Sequence, residues 1–278
     1  MIGNEEETMY FALDSDAIIN LALLHHYFPG GRNRQPFDES MGEYLSGQSI
    51  MKSLPELTYA YQNFLFTRDE NDNIVPIKKP RVKFVVPYTA FGEVCDFACK
   101  KENERFREDF KEILCKTMLK FDDSKCKDKG NLIREIRGLA RAYTQPFVCK
   151  GKKYDAPMPA ILTGNRIGRI PSDSMIMAEA TVHGIDLLTF NAKDYIFNDE
   201  LENISGRTRK FGICAINELR GYKKELSNAN GEKEVVLPKP YHFGQVMKKF
   251  MSEYEDTTFD FRVKPKTRRI TPGEFEKV

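Results

Sequence analysis

The sequence predicts an α/β protein in which helices flank a central parallel sheet. Short apolar runs at residues 10–13, 82–86 and 185–189 alternate with longer segments of helical pattern. Such alternation is typical of a parallel sheet with right-handed crossovers. Acidic residues or polar turns follow these runs, and ligands of open α/β sheets bind at the carboxyl ends of the strands. We therefore predict a polar site along one edge of the sheet.

Length, composition and charge set the bounds for this prediction. The chain has 278 residues and 41% apolar content, enough to bury an ordinary core without disulfides. Its 43 basic and 41 acidic residues leave a net charge of +2, which favours no class of polyanionic partner. The six cysteines include no Cys-x-x-Cys pair, so a reduced chain is favoured over a zinc site.

The acidic first residues do not resemble a signal peptide. No stretch approaches the roughly 20 apolar residues of a membrane span, so we expect a cytoplasmic protein with no membrane partner.

The first predicted unit is a strand, an acid and a helix. Tyr10–Leu13 is apolar, Asp14-Ser15-Asp16 follows, and Ala17–Leu24 is apolar enough for a buried helix. Taken alone, Asp14 is explained equally well as an N-cap, which stabilises a helix by about 1 kcal/mol.

The irregular stretch from about residue 28 to residue 80 is interpreted as an insertion, because turn-forming residues dominate it. Within it, Leu54–Phe66 is predicted to be helical, since its apolar residues share one face. Such a helix suits a lid over the edge of the sheet. The polar run Arg68–Asn73 predicts a turn.

A second strand, Val82–Val86, is predicted to lead into one long charged helix that ends near Lys120. Glu93 falls in the first turns of this helix. By itself, a carboxylate there is more often an exposed side chain favoured by the helix dipole.

A helix from Asn131 to Tyr143 is predicted to be amphipathic. Arg134, Arg137 and Arg141 share its polar face and either bind phosphates or form a solvated surface. The apolar face is assigned to Leu132, Ile133, Ile136, Leu139 and Ala140.

The stretch that follows Pro171 contains a helix, a strand and a turn. Ser172 is a favourable N-cap and Gly184 a favourable terminator for a helix over Asp173–His183. Ile185–Thr189 is then too short for a helix and is predicted to be an interior strand. Asp173 therefore opens a helix, and Asp194 lies just beyond the end of a strand.

The remainder of the chain is less regular. Phe211–Ala215 is a last short apolar run, with a helix predicted to about Leu226 and another over Val246–Tyr254. The basic end of the chain is expected to be disordered or bound to a partner. We divide the chain into a domain at 1–226, which contains the insertion, and a C-terminal helix with basic tail at 227–278.

Four acids, Asp14, Glu93, Asp173 and Asp194, are predicted to meet at one edge of the sheet. Clustered carboxylates repel one another and take up protons unless a divalent cation neutralises them. Hard oxygen ligands favour magnesium or manganese over zinc.

These stretches resemble the PIN domain, the nuclease fold of VapC-type toxins. The resemblance is carried by residues 13–16 after the first strand, by Glu93, by Asp173 and by the turn at 188–195, Leu-Thr-Phe-Asn-Ala-Lys-Asp-Tyr. That turn is similar to the Thr-x-Asn-x-x-Asp-aromatic sequence that follows a His-Gly helix end and a strand in this family. The resemblance covers residues 10–27 and 82–215, and Asp16 stands where the family often has Asn, Ser or Thr.

The resemblance implies a PIN-like three-layer fold and a metal-dependent endoribonuclease. The four acids would hold one or two Mg²⁺ or Mn²⁺ ions. Asn191 would brace the turn that presents Asp194, although a plain turn residue is an equal alternative. Thr189 would add a hydroxyl to the metal site, against an equal alternative as a strand-end residue, and Asp16 would act as a nearby acceptor or a cap.

The resemblance also favours RNA over DNA as the substrate, with an antitoxin or a second copy of the chain as a further partner. Candidate cations for RNA are Arg134, Arg137, Arg141 and Lys193, with Lys264, Lys266, Arg268 and Arg269 of the tail. The four histidines, His25, His26, His183 and His242, are predicted to be structural.

Two alternatives to a toxin-like nuclease follow from the same residues. One is a PIN-like scaffold that binds RNA or protein without turnover, although a scaffold gains nothing from clustered acids. The other is a small-molecule phosphatase that uses the same metal site.

Overall fold

A six-stranded sheet lies at the centre of the protein, in the order β11-β8-β1-β4-β5-β12. The computed structural model describes residues 8–27, 54–121, 129–143, 147–149, 152–154, 172–190, 224–227, 233–236, 238, 240–255 and 275–277. Five strands of the sheet are parallel, and β12 runs antiparallel to β5. The prediction of an α/β fold with a parallel sheet is confirmed.

The strands of the described residues are as follows: β1 (Met9–Leu13), β2 (Phe66–Arg68), β3 (Ile74–Pro76), β4 (Val82–Val86), β5 (Leu119–Phe121), β6 (Phe147–Cys149), β7 (Lys152–Tyr154), β8 (Asp186–Thr189), β9 (Lys224–Ser227), β10 (Lys233–Val236), β11 (Pro240–His242) and β12 (Phe275–Lys277). Their α-helices are as follows: α1 (Ser15–Tyr27), α2 (Leu54–Ala60), α3 (Tyr88–Cys99), α4 (Arg107–Thr117), α5 (Lys129–Tyr143), α6 (Ser172–Val182) and α7 (Phe243–Glu255). A π-helical turn at Tyr61–Leu65 and a 3₁₀ helix at Lys101–Phe106 complete the regular structure of these residues.

Apolar side chains pack between the sheet and the helices that flank it. Phe11, Leu13 and Val85 of the central strands are at most 1% exposed, as expected for strands covered by helices. Phe84 of β4 contacts the rings of Phe64 and Phe243, each 6.3 Å away between centroids. The architecture is therefore consistent with a three-layer α/β fold.

The registers of the central strands align their carboxyl ends. Leu13 lies opposite Leu188 in β8, and Ala12 lies opposite Val85 in β4. The residues that follow β1 and β4 therefore emerge at the same edge of the sheet as the end of β8. This alignment allows distant parts of the sequence to form one site.

The predicted long helix between Pro87 and Lys120 is wrong in its extent. Lys100 has an extended backbone (φ −64°, ψ 142°) and ends α3. The side chain of Asn103 donates a hydrogen bond to the carbonyl of Phe97 at 2.9 Å, which closes this end. The 3₁₀ helix then turns the chain so that Phe106, 0% exposed, enters the core. The chain continues through α4 into β5, a strand that periodicity alone did not separate from the helix.

The predicted helix at Leu54–Phe66 is confirmed as far as Leu65, where its last turn is π-helical. The turn at Arg68–Asn73 is confirmed as the loop of the β2–β3 hairpin, whose short strands were not predicted. The described half of the insertion packs on the face of the sheet through Phe64 and Phe84, whereas a lid over the edge was predicted. Residues 28–53 lie outside the described residues.

The helix predicted over residues 131–143 is confirmed as α5, with one correction to its apolar face. Ile136, Leu139 and Ala140 are buried, but Ile133 is 49% exposed. The arc of α5 that packs is therefore narrower than the pattern suggested. Arg134, Arg137 and Arg141 are exposed, as predicted.

Near the C-terminus, the predicted helix to about Leu226 is wrong over its last residues. Lys224–Ser227 forms β9, which pairs with β10 in a hairpin that the sequence did not indicate. Helix α7 confirms the amphipathic helix predicted there. In the tail, Phe275–Lys277 pairs with β5, which corrects the expectation of disorder for these three residues. Residues 211–215 and the basic residues of the tail from 264 to 269 lie outside the described residues.

Within the described part of the chain, every helix is too short or too polar to cross a lipid bilayer.

Candidate functional site

Asp14 follows β1 directly and is fixed by hydrogen bonds on both sides of its carboxylate. The backbone N–H of Ser15 donates to Oδ1 at 2.8 Å, and the Thr189 hydroxyl donates to Oδ2 at 2.8 Å. The backbone carbonyl of Asp14 accepts bonds from Ala17 and Ile18, so Asp14 also occupies the N-cap position of α1. With only 2% of its surface exposed, the carboxylate is a buried group held in one orientation.

Glu93 of α3 is joined to this group through a residue that the sequence did not single out. The hydroxyl of Ser15 donates to Oε2 of Glu93 at 2.7 Å. Glu93 is half-buried, which corrects the alternative of a fully exposed helix carboxylate. Ser15 thus bonds to two of the predicted acids, through its N–H to Asp14 and through its hydroxyl to Glu93.

Asp16, in the first turn of α1, contacts the end of β8. The backbone N–H of Phe190 donates to its Oδ1 at 3.4 Å. Burial raises the pKa of Asp16 well above its usual range, and the negative charges of Asp14 and Asp173 raise it further. Hydrogen bonds from the backbone of Phe190 and Ala17 act in the opposite direction. Asp14, Asp16 and Asp173 are therefore near enough to interact electrostatically.

Asp173 lies in the first turn of α6, as predicted. The helix ends at Val182 and is terminated by Gly184, where φ is 73°, in the left-handed region that favours glycine. The N–H groups of Gly184 and Ile185 bond to the carbonyls of Thr181 and Ala180 at 3.1 and 3.0 Å, the pattern of a Schellman motif. This motif turns the chain directly into β8, which brings Thr189 to Asp14.

Glu179, in the middle of α6, connects this helix to the start of α3. The backbone N–H and the hydroxyl of Thr89 both donate to its carboxylate, the N–H at 3.2 Å. Glu179 is 3% exposed and satisfies a backbone donor at the N-terminus of α3, where Pro87 provides no side-chain cap. A glutamate on an apolar helix was the available sequence signal for this positioning role.

The structure therefore brings together one set of the predicted site residues and leaves another set undescribed. Hydrogen bonds through Ser15 and at the end of β8 bring together Asp14, Asp16, Glu93 and Thr189, and Asp173 acts on Asp16 electrostatically. Asn191, Lys193 and Asp194 lie outside the described residues.

The basic face of α5 is placed by packing against α6, the helix that opens with Asp173. The Arg134 guanidinium donates to the side chain of Asn131 and to the carbonyl of Gly130 in the same helix. These contacts hold Arg134 along the surface of α5. Its contact pattern is that of a solvated face, and the positive charge remains accessible.

By chemistry, the donor set suits a hard divalent cation, because it consists of carboxylate and hydroxyl oxygens. The raised pKa of Asp16 comes mainly from burial and in part from repulsion by Asp14 and Asp173, and a cation would relieve that repulsion. Among the described residues, however, no three His, Cys, Asp or Glu side chains are grouped closely enough to hold one ion. The residues thus fit the ion in type and charge, while the predicted fourth ligand, Asp194, belongs to the undescribed turn.

Comparisons with protein-family models, with curated proteins and with solved structures give no match to this chain. The function is therefore argued from the arrangement of its own residues.

Proposed function

We propose that this protein is a PIN-like, metal-dependent endoribonuclease that hydrolyses RNA phosphodiester bonds. The observation that carries the proposal is the hydrogen-bonded arrangement in which Thr189 holds Asp14 and the backbone of Phe190 holds Asp16 at the end of β8, with Asp173 near enough to act on Asp16 electrostatically. Glu93 joins this group through Ser15. Buried and half-buried carboxylates repel one another, so a fold that gathers them without a cation loses stability. A metal ion that takes part in the reaction would offset this loss of stability.

Asp14, Glu93, Asp173 and Asp194 are the residues that would hold Mg²⁺ or Mn²⁺. When bound, such an ion promotes ionisation of water and stabilises negative charge on a phosphodiester undergoing hydrolysis. The chain contributes the arrangement of the described carboxylates, with Asp14 after β1, Glu93 on α3 and Asp173 on α6.

Thr189 and Ser15 hold these carboxylates in place. Thr189 is 0% exposed, and its hydroxyl donates to Oδ2 of Asp14, so it fixes the orientation of that carboxylate. Ser15 orients Asp14 with its N–H and Glu93 with its hydroxyl. Groups that orient a metal ligand typically change activity by 10–100-fold when removed. Asn191 is proposed to brace the turn that presents Asp194 in the same manner.

RNA is proposed as the substrate on the strength of the resemblance. A phosphate backbone approaching an acidic site needs cations nearby. Arg134, Arg137 and Arg141 are exposed on α5, which packs against α6, and Lys193 is a further candidate. A role as the toxin of a toxin–antitoxin pair, with an antitoxin or a second copy as partner, is part of the same proposal.

The proposal is tested by incubating the purified protein with labelled RNA, single-stranded DNA and a generic phosphate ester, in Mn²⁺ or in EDTA. We expect RNA cleavage that requires Mn²⁺ and falls by more than about 100-fold in Asp14→Asn and in Asp173→Asn, since even residues that orient a ligand are worth 10–100-fold. Asp72→Asn is a matched control, because Asp72 lies in the exposed β2–β3 loop with a 76% exposed side chain. Equal cleavage by the wild type and both site variants would overturn the nuclease proposal. Preferential hydrolysis of the phosphate ester would indicate a phosphatase instead.

A non-catalytic PIN-like scaffold that binds RNA or protein is the second candidate. It is favoured by one observation, the absence among the described residues of three metal-ligating side chains grouped around one point. In the same assay a scaffold retains RNA on a filter without cleaving it, in both Mn²⁺ and EDTA.

A further inference from the structure

A cleft of about 730 Å³ lies at a different part of the sheet from the acidic residues. It is bounded by the β2–β3 hairpin and its following residues, by the junction of α4 and β5, and by Lys83 of β4. Lys83 is the second residue of β4, whereas Asp14 follows the last residue of the parallel neighbouring strand β1. The cleft and the acidic group are therefore on opposite edges of the sheet.

The walls of the cleft are mainly apolar. Val75 and Ile77 line one side, and Met118 and Leu119 line the other. The hairpin side is fixed to the core, because the backbone N–H of Ile77 donates to the carbonyl of Leu65 at 2.9 Å. Preformed apolar clefts of 300–1,000 Å³ with a few polar groups are typical sites for small molecules.

The charges around the cleft do not cancel. Lys116 already pairs with Glu112 at 2.6 Å. Asp69 accepts hydrogen bonds from the backbone and side chain of Asn73 and from the backbone of Asn71, and these bonds lower its pKa, the backbone bond from Asn73 most of all. Lys78 and Lys83 have no ion pair within the described part of the chain. Among the described residues, these two cations thus have no acidic partner.

Of Lys78 and Lys83, Lys83 has the unusual position, because it lies in an interior strand of the sheet. Strand β4 lies between β1 and β5, and its other four residues, Val82, Phe84, Val85 and Val86, are buried. Interior parallel strands normally read as continuous apolar runs. A half-buried lysine in such a strand gives up part of its hydration without an ion pair in return. A bound anion would supply the missing partner.

We propose that this cleft binds a small amphipathic anion, with its apolar body against Val75, Ile77 and Leu119 and its carboxylate or phosphate group held by Lys83 and Lys78. The site does not depend on the nuclease proposal, because it shares no residue with the acidic group. Acyl carboxylates and nucleoside monophosphates are the two sources of such a ligand that the experiment separates.

Anilinonaphthalene sulfonate, a fluorescent aromatic anion, is the probe for a titration of the full chain. We expect saturable binding at one site that weakens by about 10-fold in Lys83→Met, which keeps the apolar stem and removes the charge. Lys78→Met, at an exposed position, is expected to weaken binding by about threefold without affecting the fold. Lys111→Met is the matched control, because Lys111 is exposed on α4 and does not line the cleft.

Competition then identifies the ligand class. Displacement of the probe by octanoate assigns an acyl carboxylate, and displacement by adenosine monophosphate assigns a nucleoside phosphate. Failure of both competitors at millimolar concentration would overturn the proposal. Equal probe affinity in the wild type, Lys78→Met and Lys111→Met would also overturn it, and this comparison holds even if Lys83→Met does not fold.

Discussion

Carboxylates lie near both ends of helix α1, and the two groups differ in the partners that the described residues give them. At the C-terminal end, Nδ1 of His26 lies 2.8 Å from Asp109. His25 lies 3.5 Å from Glu112, which Lys116 contacts at 2.6 Å. At the N-terminal end, Asp16 and Glu93 have no ion pair among the described residues. Their hydrogen bonds come from a neutral hydroxyl and from backbone N–H groups.

The pKa values of one acid from each end move in opposite directions. Burial acts to raise the pKa of Glu112, but the hydrogen bond from Lys116 and the charge of His25 outweigh it, so that pKa is lowered. Burial also raises the pKa of Asp16, and there the neighbouring charges of Asp14 and Asp173 add to the effect. Glu112 at the C-terminal end is therefore compensated by groups inside the protein. At the N-terminal end, Asp16 gains no such compensating charge from the described residues.

The largest effect that separates the two ends is expected from His26→Ala. This change leaves Asp109, 3% exposed, without its imidazole partner. Loss of a partner to a buried charge costs about 3 kcal/mol or more. Urea denaturation should show this loss in the free energy of unfolding, with RNA cleavage per folded molecule unchanged. A loss below about 1 kcal/mol would mean that Asp109 finds another partner, and the compensation assigned to this end would be wrong.

A smaller effect, and one on activity, is expected from Thr189→Val at the N-terminal end. Valine has the shape of threonine but cannot donate to Asp14, so a metal ligand loses its orientation. Under the nuclease proposal, cleavage should fall by 10–100-fold, the usual effect of losing such a donor. The Mn²⁺ concentration that gives half-maximal cleavage should rise at the same time.

Thr189→Ser provides the control, because serine keeps the hydroxyl and loses only a methyl group. Recovery of cleavage in the serine variant separates positioning from packing. If valine and serine reduce cleavage equally, the hydroxyl has no role in the site.

The acidic end was predictable from sequence, whereas the compensated end was not. Asp14 follows β1, Asp173 lies in the first turn of α6 and Glu93 lies in the early turns of α3, and their approach to one edge of a parallel sheet can be read from chain order. The acidic partners of His25 and His26 lie on α4, whose start depends on the break at Lys100. The helical pattern continued across that break, so the separate helix and its packing were not foreseen.

The connecting residues show the same limit. Ser15 and Glu179 form hydrogen bonds over 78 and 90 positions of sequence, and their residue types alone do not distinguish such roles. The β2–β3 hairpin and β5 were missed because three-residue strands are shorter than any clear alternation of apolar and polar residues.

Divalent cations offer a test of the N-terminal end that does not require catalysis. If Mn²⁺ binds the acidic group, a concentration ten times its Kd should stabilise the protein by about 1.4 kcal/mol. Thermal denaturation with and without Mn²⁺ measures this shift, and Asp14→Asn should abolish most of it while Asp72→Asn retains it. A shift of equal size in both variants would place the ion elsewhere.

The smallest expected effect is the pH dependence that Asp16 imposes on the metal-free protein. Because the pKa of Asp16 is raised on folding from a usual value of 3.8, its contribution to stability is fully present below about pH 4. That contribution is lost as the pH rises through the raised value, since the folded state then holds a charge that its neighbours repel. Asp16→Asn removes the charge at every pH and should therefore stabilise the metal-free protein by at least about 1 kcal/mol at pH 7, the scale of one close charge pair in water. Below pH 4 the variant should have little advantage in the free energy of unfolding.

Urea denaturation at both pH values, in EDTA, measures the difference. A variant no more stable than the wild type at pH 7 would show that the acids at this end of α1 do not repel one another.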